Sequence, residues 1–161
     1  TMATSLPTPT DPQALAEAAA AAMWARDRAC QALGMRLEAI GPGRAVMSMP
    51  VRADMVNGHA MCHGGLIFTL ADSAFAYACN SHNHNTVASA CQIDFLSPAR
   101  EGEVLEAEAE ERALAGRSGV YDITVRVRGG RVVALFRGKS HRIGGEVIAG
   151  LQQAEGRPAA G

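Results

Sequence analysis

The chain has 161 residues, 48% apolar and 19% charged, with 15 basic and 16 acidic side chains and a net charge of -1. That is one domain's worth of sequence with material for a hydrophobic core, which excludes disorder over most of the length. It also excludes recruitment of nucleic acid or an anionic membrane by a global field. Four scattered cysteines (Cys30, Cys62, Cys79, Cys91) form no C-x-x-C pair, so neither a zinc ribbon nor a disulfide framework is indicated.

In chain order, residues 1–10 carry two prolines and little apolar content and read as a disordered leader. Asp11-Pro12 is a helix-start signal, and Ala-rich sequence runs from there to Leu33, with Gly34 as the stop. This 11–34 helix is weakly apolar and is expected to sit at the periphery, docking through Met23 and Trp24. From Met35 the period changes to two: Leu37 and Ile40, a Gly41-Pro42-Gly43 turn, then Ala45, Met47, Met49 and Val51 describe a hairpin with one buried face. Residues 52–62 are a loop, and a helix is expected from about Gly64 to Asn80.

Four strands follow: Val87–Leu96, Val104–Glu110 with Glu106, Glu108 and Glu110 on a wet face, Tyr121–Val127, and Val132–Phe136, apolar on both faces. Gly129-Gly130 reads as a two-residue turn of the primed type. The sequence after Gly145 reads as a flexible tail, so residues 35–145 carry the domain. One helix held against a mostly antiparallel sheet is an α+β architecture. The apolar run Leu66–Cys79 contains Asp72 and is too short to span a bilayer, and the N-terminus has no basic n-region. A cytoplasmic protein with no membrane or nucleic-acid partner is the expectation.

The Gly64–Asn80 helix is apolar all round and is expected to be wrapped by protein. Asp72 is its only ionisable acid or base, and a buried acid needs either a structural partner or a task. His63-Gly64-Gly65 opens the helix, where backbone N–H groups carrying partial positive charge are accessible to an oxyanion. Gly64 and Asp72 are separated by about 12 Å of axial rise, so the acid cannot reach its own helix start. It reaches the start of a second copy if two such helices run antiparallel about a two-fold axis, giving two shared sites per dimer.

Asn57, in Asn57-Gly58, is either a turn residue or a group that orients water or a carbonyl. The five histidines show no H-x-x-x-H pairing, so no metal is expected. Ser81–Asn85 reads as a solvated loop. Ser73 lies in no G-x-S-x-G elbow, which argues against an α/β-hydrolase. Arg137-Gly138-Lys139-Ser140-His141-Arg142 ends the last strand. It is either a wet edge with gatekeeping charges or, with Arg126, Arg128 and Arg131, a cationic rim for a phosphorylated carrier. Lys139 is the only lysine.

The blocks Asn57-Gly58-His59, Cys62-His63-Gly64-Gly65 and Leu70-Ala71-Asp72 resemble the signature of hotdog-fold acyl-CoA thioesterases. The run Asp72 to Asn80, Ile93-Asp94-Phe95-Leu96 and Phe136 to Arg142 resemble the phenylacetic acid degradation branch of that family. The resemblance spans roughly residues 24–145. It implies a curved antiparallel sheet around one long helix, dimers with shared active sites, and dimers paired into tetramers. It further implies Asp72 as general base or nucleophile, Gly64 with Gly65 polarising the thioester carbonyl, and Asn57 and His63 positioning thioester or water. Phe68, Phe75, Arg137, Lys139 and Ser140 are then substrate contacts. The implied substrates are phenylacetyl-CoA and its ring-hydroxylated relatives, with no cofactor beyond the coenzyme A of the substrate. A hotdog enoyl-CoA hydratase fits less well, because that chemistry wants Asp and His together. A non-catalytic acyl-CoA-binding subunit is the alternative of another class.

Overall fold

A computed structural model of the chain describes residues 10–152. The disordered leader expected at 1–10 therefore lies outside the described residues except for Thr10, and the tail beyond Gln152 likewise. Helix α1 (Pro12–Trp24) starts where the sequence places it: the Asp11 carboxylate accepts from the N–H groups of Gln13 and Ala14. The expected single helix to Gly34 is broken in two. Asp27 accepts from Cys30 N and caps a second helix, α2 (Arg28–Ala32). Its other oxygen accepts from Tyr77 Oη at 3.0 Å, so a side chain that would be solvent-facing in one continuous helix becomes an anchor. The Ala-rich α1 buries Leu15, Ala16, Ala19 and Ala20.

The sheet is six-stranded and wholly antiparallel: β1 (Arg36–Gly41), β2 (Arg44–Pro50), β3 (His84–Phe95), β4 (Val104–Ala115), β5 (Ser118–Val127) and β6 (Val132–Glu146), in spatial order β1-β2-β4-β5-β6-β3. All six strands touch the central helix α3 (Gly64–Asn80), which they wrap. Inward residues Met47, Met49, Leu105, Ala107, Tyr121, Ile123, Val125 and Phe136 are buried. Outward ones pair by charge, Arg44 with Glu108 and Arg128 with Glu106 and Glu38. The expected wet face of β4 is there. α+β architecture and the hotdog arrangement both hold.

Four expectations are corrected by the packing. β6 lies between β5 and β3, so Arg137–Arg142 is not an edge; the edges are β1 and β3. Within β6, Leu135 is exposed, so Val132–Phe136 is covered on one face only. At the β5–β6 turn only Gly129 has positive φ (+70°). Gly130 N donates to Val127 O, so the central residues of the turn are Arg128 and Gly129, with positive φ at the second of them, rather than the Gly129-Gly130 pair of a primed two-residue form. Finally, Ser81 and Asn83 are buried, not solvated. Asn83, at φ +64°, donates to Ile148 O and Leu151 O and accepts from Ile148 N, pinning residues 147–151 that the sequence assigned to a free tail.

Candidate active site

Helix α3 is not covered all round within one chain. Ile67, Leu70, Ala71, Ala74, Phe75 and Ala78 are buried. Gly65 is exposed and Thr69, Asp72 and Ala76 are half-buried; at spacings of four, three and four they form one open stripe. Asp72 sits in the middle of it. Its carboxylate has no hydrogen-bond or ionic partner among the described residues, and burial pushes its pKa above the ordinary carboxylate range. The structural-pair reading of this acid is thereby removed.

The helix start is built by the loop before it. Val56 and Cys62 form an isolated bridge, and Ala60 takes φ +57° to close the turn between them. Asn57 Oδ1 accepts from His59 N at 2.9 Å and Met61 N at 3.2 Å, so its oxygen takes the turn role. Its amide nitrogen has no partner among the described residues, and the residue lines a cavity of about 320 Å³ with Gly64, Ile67, Phe95 and Leu96.

His63 is the N-cap of α3: its Nδ1 accepts from Gly65 N at 2.9 Å. That bond fixes the neutral tautomer with the proton on Nε2 and consumes the Gly65 N–H. The Gly64 N–H has no partner among the described residues, so the oxyanion donor expected of Gly64 and Gly65 together narrows to Gly64. A Cβ at Gly64 would stand 3.2 Å from the Phe95 ring, so the glycine keeps this mouth open.

The structure brings Asn57, His63, Gly64 and Gly65 together but separates the remaining substrate candidates. Phe68 is half-buried, edge-on to Phe136 at 5.2 Å. Phe75 is a core residue, 1% exposed, 5.4 Å from Tyr121. A Cβ on Gly138 would come within 2.6 Å of its ring, so Phe75 fills the core rather than a substrate pocket. Strand alternation puts Arg137 and Lys139 on the outer face of the sheet and Ser140 on the inner face. Arg137 is held by Asp122 through two bonds of 2.7 and 2.9 Å, while Lys139 makes no ion pair among the described residues. Ser140 lines a different cavity, at the other end of α3.

Sequence reasoning missed Phe95 and Leu96 as lining residues. Their exposure, 53% and 59%, at the end of strand β3 and just past it is the structural sign, and an Ile-Asp-Phe-Leu run carries it only weakly. No three His, Cys, Asp or Glu side chains cluster to hold a metal among the described residues. No helix there is long and apolar enough to cross a membrane.

Comparison with known proteins agrees with this architecture. Residues 59–134 match the family model of the thioesterase superfamily. The chain is 52% identical over 126 residues, covering 78% of itself and 90% of the relative, to the acyl-coenzyme A thioesterase PaaI of Escherichia coli. The solved structure of E. coli PaaI, from the phenylacetic acid degradation operon, superposes with a TM-score of 0.83 at 49% identity, covering 84% of this chain and 99% of that one. An asparagine-to-aspartate variant of the phenylacetic acid degradation protein PaaI from Thermus thermophilus superposes at 0.70 with 39% identity, covering 73% and 100%. The chain belongs to the hotdog-fold thioesterase superfamily and is a thioester hydrolase of the PaaI type.

Proposed function

We propose that this chain hydrolyses phenylacetyl-CoA and ring-hydroxylated phenylacetyl-CoA to the free acid and coenzyme A, in the cytoplasm, as part of phenylacetate breakdown. The observation that carries the reading is Asp72: an unpaired, desolvated carboxylate on the open stripe of α3. The name and operon of the E. coli relative support the substrate class.

In this mechanism the Gly64 N–H and the free amide of Asn57 donate to the thioester oxygen, and Asp72 takes a proton from water as the new C–O bond forms. The tetrahedral intermediate collapses, the C–S bond breaks, and the proton passes to the departing thiolate. A carboxylate made more basic by desolvation is suited to the base role. His63 holds the helix start and places its Nε2–H at the mouth. No cofactor is needed, because water and the thioester are the only reactants.

Asp72 lies about 12 Å from its own Gly64, so the active form is a homodimer with two-fold-related α3 helices running antiparallel, and such dimers pair into tetramers. The open stripe of α3 and edge strand β3, with Val87, Phe95 and Leu96 exposed, supply the apolar contact. Phe68 floors the acyl pocket, and Lys139 meets the phosphates of coenzyme A.

Two measurements test this. Thiol release from a panel of CoA esters should be fastest with the aryl-acetyl esters and lost in Asp72→Ala. Refolding Asp72→Ala together with Gly64→Val should restore about a quarter of wild-type sites, because each mixed dimer regains one intact site. Full thiol release from Asp72→Ala defeats the mechanism; no recovery on mixing defeats the shared site.

A further inference from the structure

The C-terminal end of α3 covers a second cavity, of about 340 Å³, fifteen residues and about 22 Å of helix from Gly64. It is lined by Arg117, Arg142, Ser118, Ser140, Leu114 and the Tyr121 ring, with Cys79 and His84 alongside. Three features set it apart from a packing flaw. Ser140 is 2% exposed, yet its hydroxyl makes no hydrogen bond among the described residues, and it opens onto the cavity. No enclosed side-chain oxygen or nitrogen lacks a partner among the described residues, so the Ser140 hydroxyl is open to the cavity space and free to meet a ligand there. Arg117 and Arg142 line it, joined by a backbone Arg142 N–Arg117 O bond of 2.8 Å, and neither guanidinium is paired to an acid among the described residues.

The Glu111 carboxylate is already engaged by hydrogen bonds. Glu111 Oε1 meets His82 Nε2 at 2.8 Å and accepts from Tyr121 Oη at 2.9 Å. Leu114, Cys79 and the Tyr121 ring supply one apolar wall, beside the polar His82, Thr86 and Ser118.

We propose that this cavity is a binding site for a small carboxylate carrying a compact apolar body, separate from the thioester site. Two guanidiniums match one carboxylate through paired N–H donors, the Ser140 hydroxyl adds a third contact, and the apolar wall takes the body. The volume suits a ligand of roughly ten heavy atoms, at the small end of ligand pockets. His84 reports occupancy. Burial, then Arg142 and His82, hold its pKa below the ordinary range, with Glu146 acting the other way. An anion seated beside it favours the imidazolium and moves its titration up.

The test is calorimetric titration of the full chain with phenylacetate, and separately with inorganic phosphate, each repeated with a non-hydrolysable CoA thioether present in excess. Calorimetry reads occupancy, so the outcome does not depend on turnover, and failure of the thioether to bind would count against the proposed function alone. We expect one phenylacetate per chain that survives the thioether. Arg142→Gln should weaken it at least tenfold and Ser140→Ala about threefold, Asp72→Asn should leave it unchanged, and bound phenylacetate should shift the His84 C2-proton titration upward. Arg142 is exposed, so its variant folds. Loss of binding once the thioether is present assigns the cavity to the thioester site and overturns the proposal. So does phosphate binding as tightly as phenylacetate, and so does no binding of either anion at millimolar concentration.

Discussion

The two ends of α3 are built on opposite plans. At its C-terminus side chains fasten the backbone: Ser81 Oγ donates to Ala78 O and accepts from Gly43 N, and Asn80 bonds both the carbonyl and the N–H of Thr86. At its N-terminus His63 satisfies the Gly65 N–H, and the Gly64 N–H beside it is left for something else. A helix whose ends differ this way has one end for fastening and one for chemistry, and Asp72, midway between them, has no partner at either.

The largest effect should come from removing that acid. Asp72→Asn should lower kcat by roughly 10²–10⁴-fold with KM little changed. In the wild type, kcat/KM should fall as pH drops through a pKa above the ordinary carboxylate range, because burial raises it. The same shift fixes the sign for stability. A carboxyl whose folded pKa is raised stabilises the fold while protonated and loses that contribution as pH rises through the folded pKa. Above that folded pKa the ionised Asp72 is therefore a strain, and Asp72→Asn should melt higher there by about 2 °C. A variant both inactive and less stable would mean that Asp72 holds the fold, and the contrast between the helix ends would lose its centre.

The two glycines sharpen the comparison at the helix start. Gly64→Ala puts a methyl against the Phe95 ring. It should cost about tenfold in kcat, with a melting temperature that holds or rises because alanine is the better helix former. Gly65→Ala crowds the His63 ring at 3.1 Å instead. Losing that cap should cost about 1 kcal/mol of stability and less than threefold in kcat. Equal effects on kcat would erase the distinction between a free and a capped N–H. Asn57→Asp keeps the oxygen that the His59 and Met61 N–H groups need and removes the amide donor. An intermediate loss in kcat/KM, about tenfold at unchanged melting temperature, separates its positioning of substrate from its turn.

At the fastening end the expected effect is on stability alone. Asn83→Ala removes three bonds to residues 148 and 151 and keeps a non-glycine residue at φ +64°. It should cost about 2–3 kcal/mol in urea unfolding and change kcat by less than twofold.

Much of the first plan was readable from the sequence, and little of the second. His63-Gly64-Gly65 and a lone acid eight residues on are local signals, because helix geometry alone sets their spacing and the face Asp72 shares. The bounds of α3 follow from the same pattern. What Asn83 does depends on a turn segment that returns 65 residues later, and no local pattern announces it. Its buried, left-handed backbone lies inside a polar run that composition alone assigns to solvent. The break at Asp27 is similar: its partner Tyr77 is fifty residues away. Phe75 was readable as apolar but not as core, since that rests on the space Gly138 leaves across the sheet. The resemblance named the substrate contacts, and strand alternation then divided them between two faces.

That division gives the smallest expected effect. Both ends of α3 lie under the inner face, whereas Arg137 and Lys139 stand on the outer one, so any role they have is in holding the carrier rather than in the chemistry. They differ in one respect. Arg137 is tied by two bonds to Asp122, which it holds below the ordinary carboxylate range and which also meets Arg112, so part of its charge is offset locally. The Lys139 ammonium makes no ion pair among the described residues. Lys139→Gln should therefore raise KM for a CoA ester about two- to threefold at low salt, and Arg137→Gln less than that, both differences fading as salt screens them. An increase in KM for Arg137→Gln that exceeds that for Lys139→Gln would mean that the Asp122 pair opens when substrate arrives.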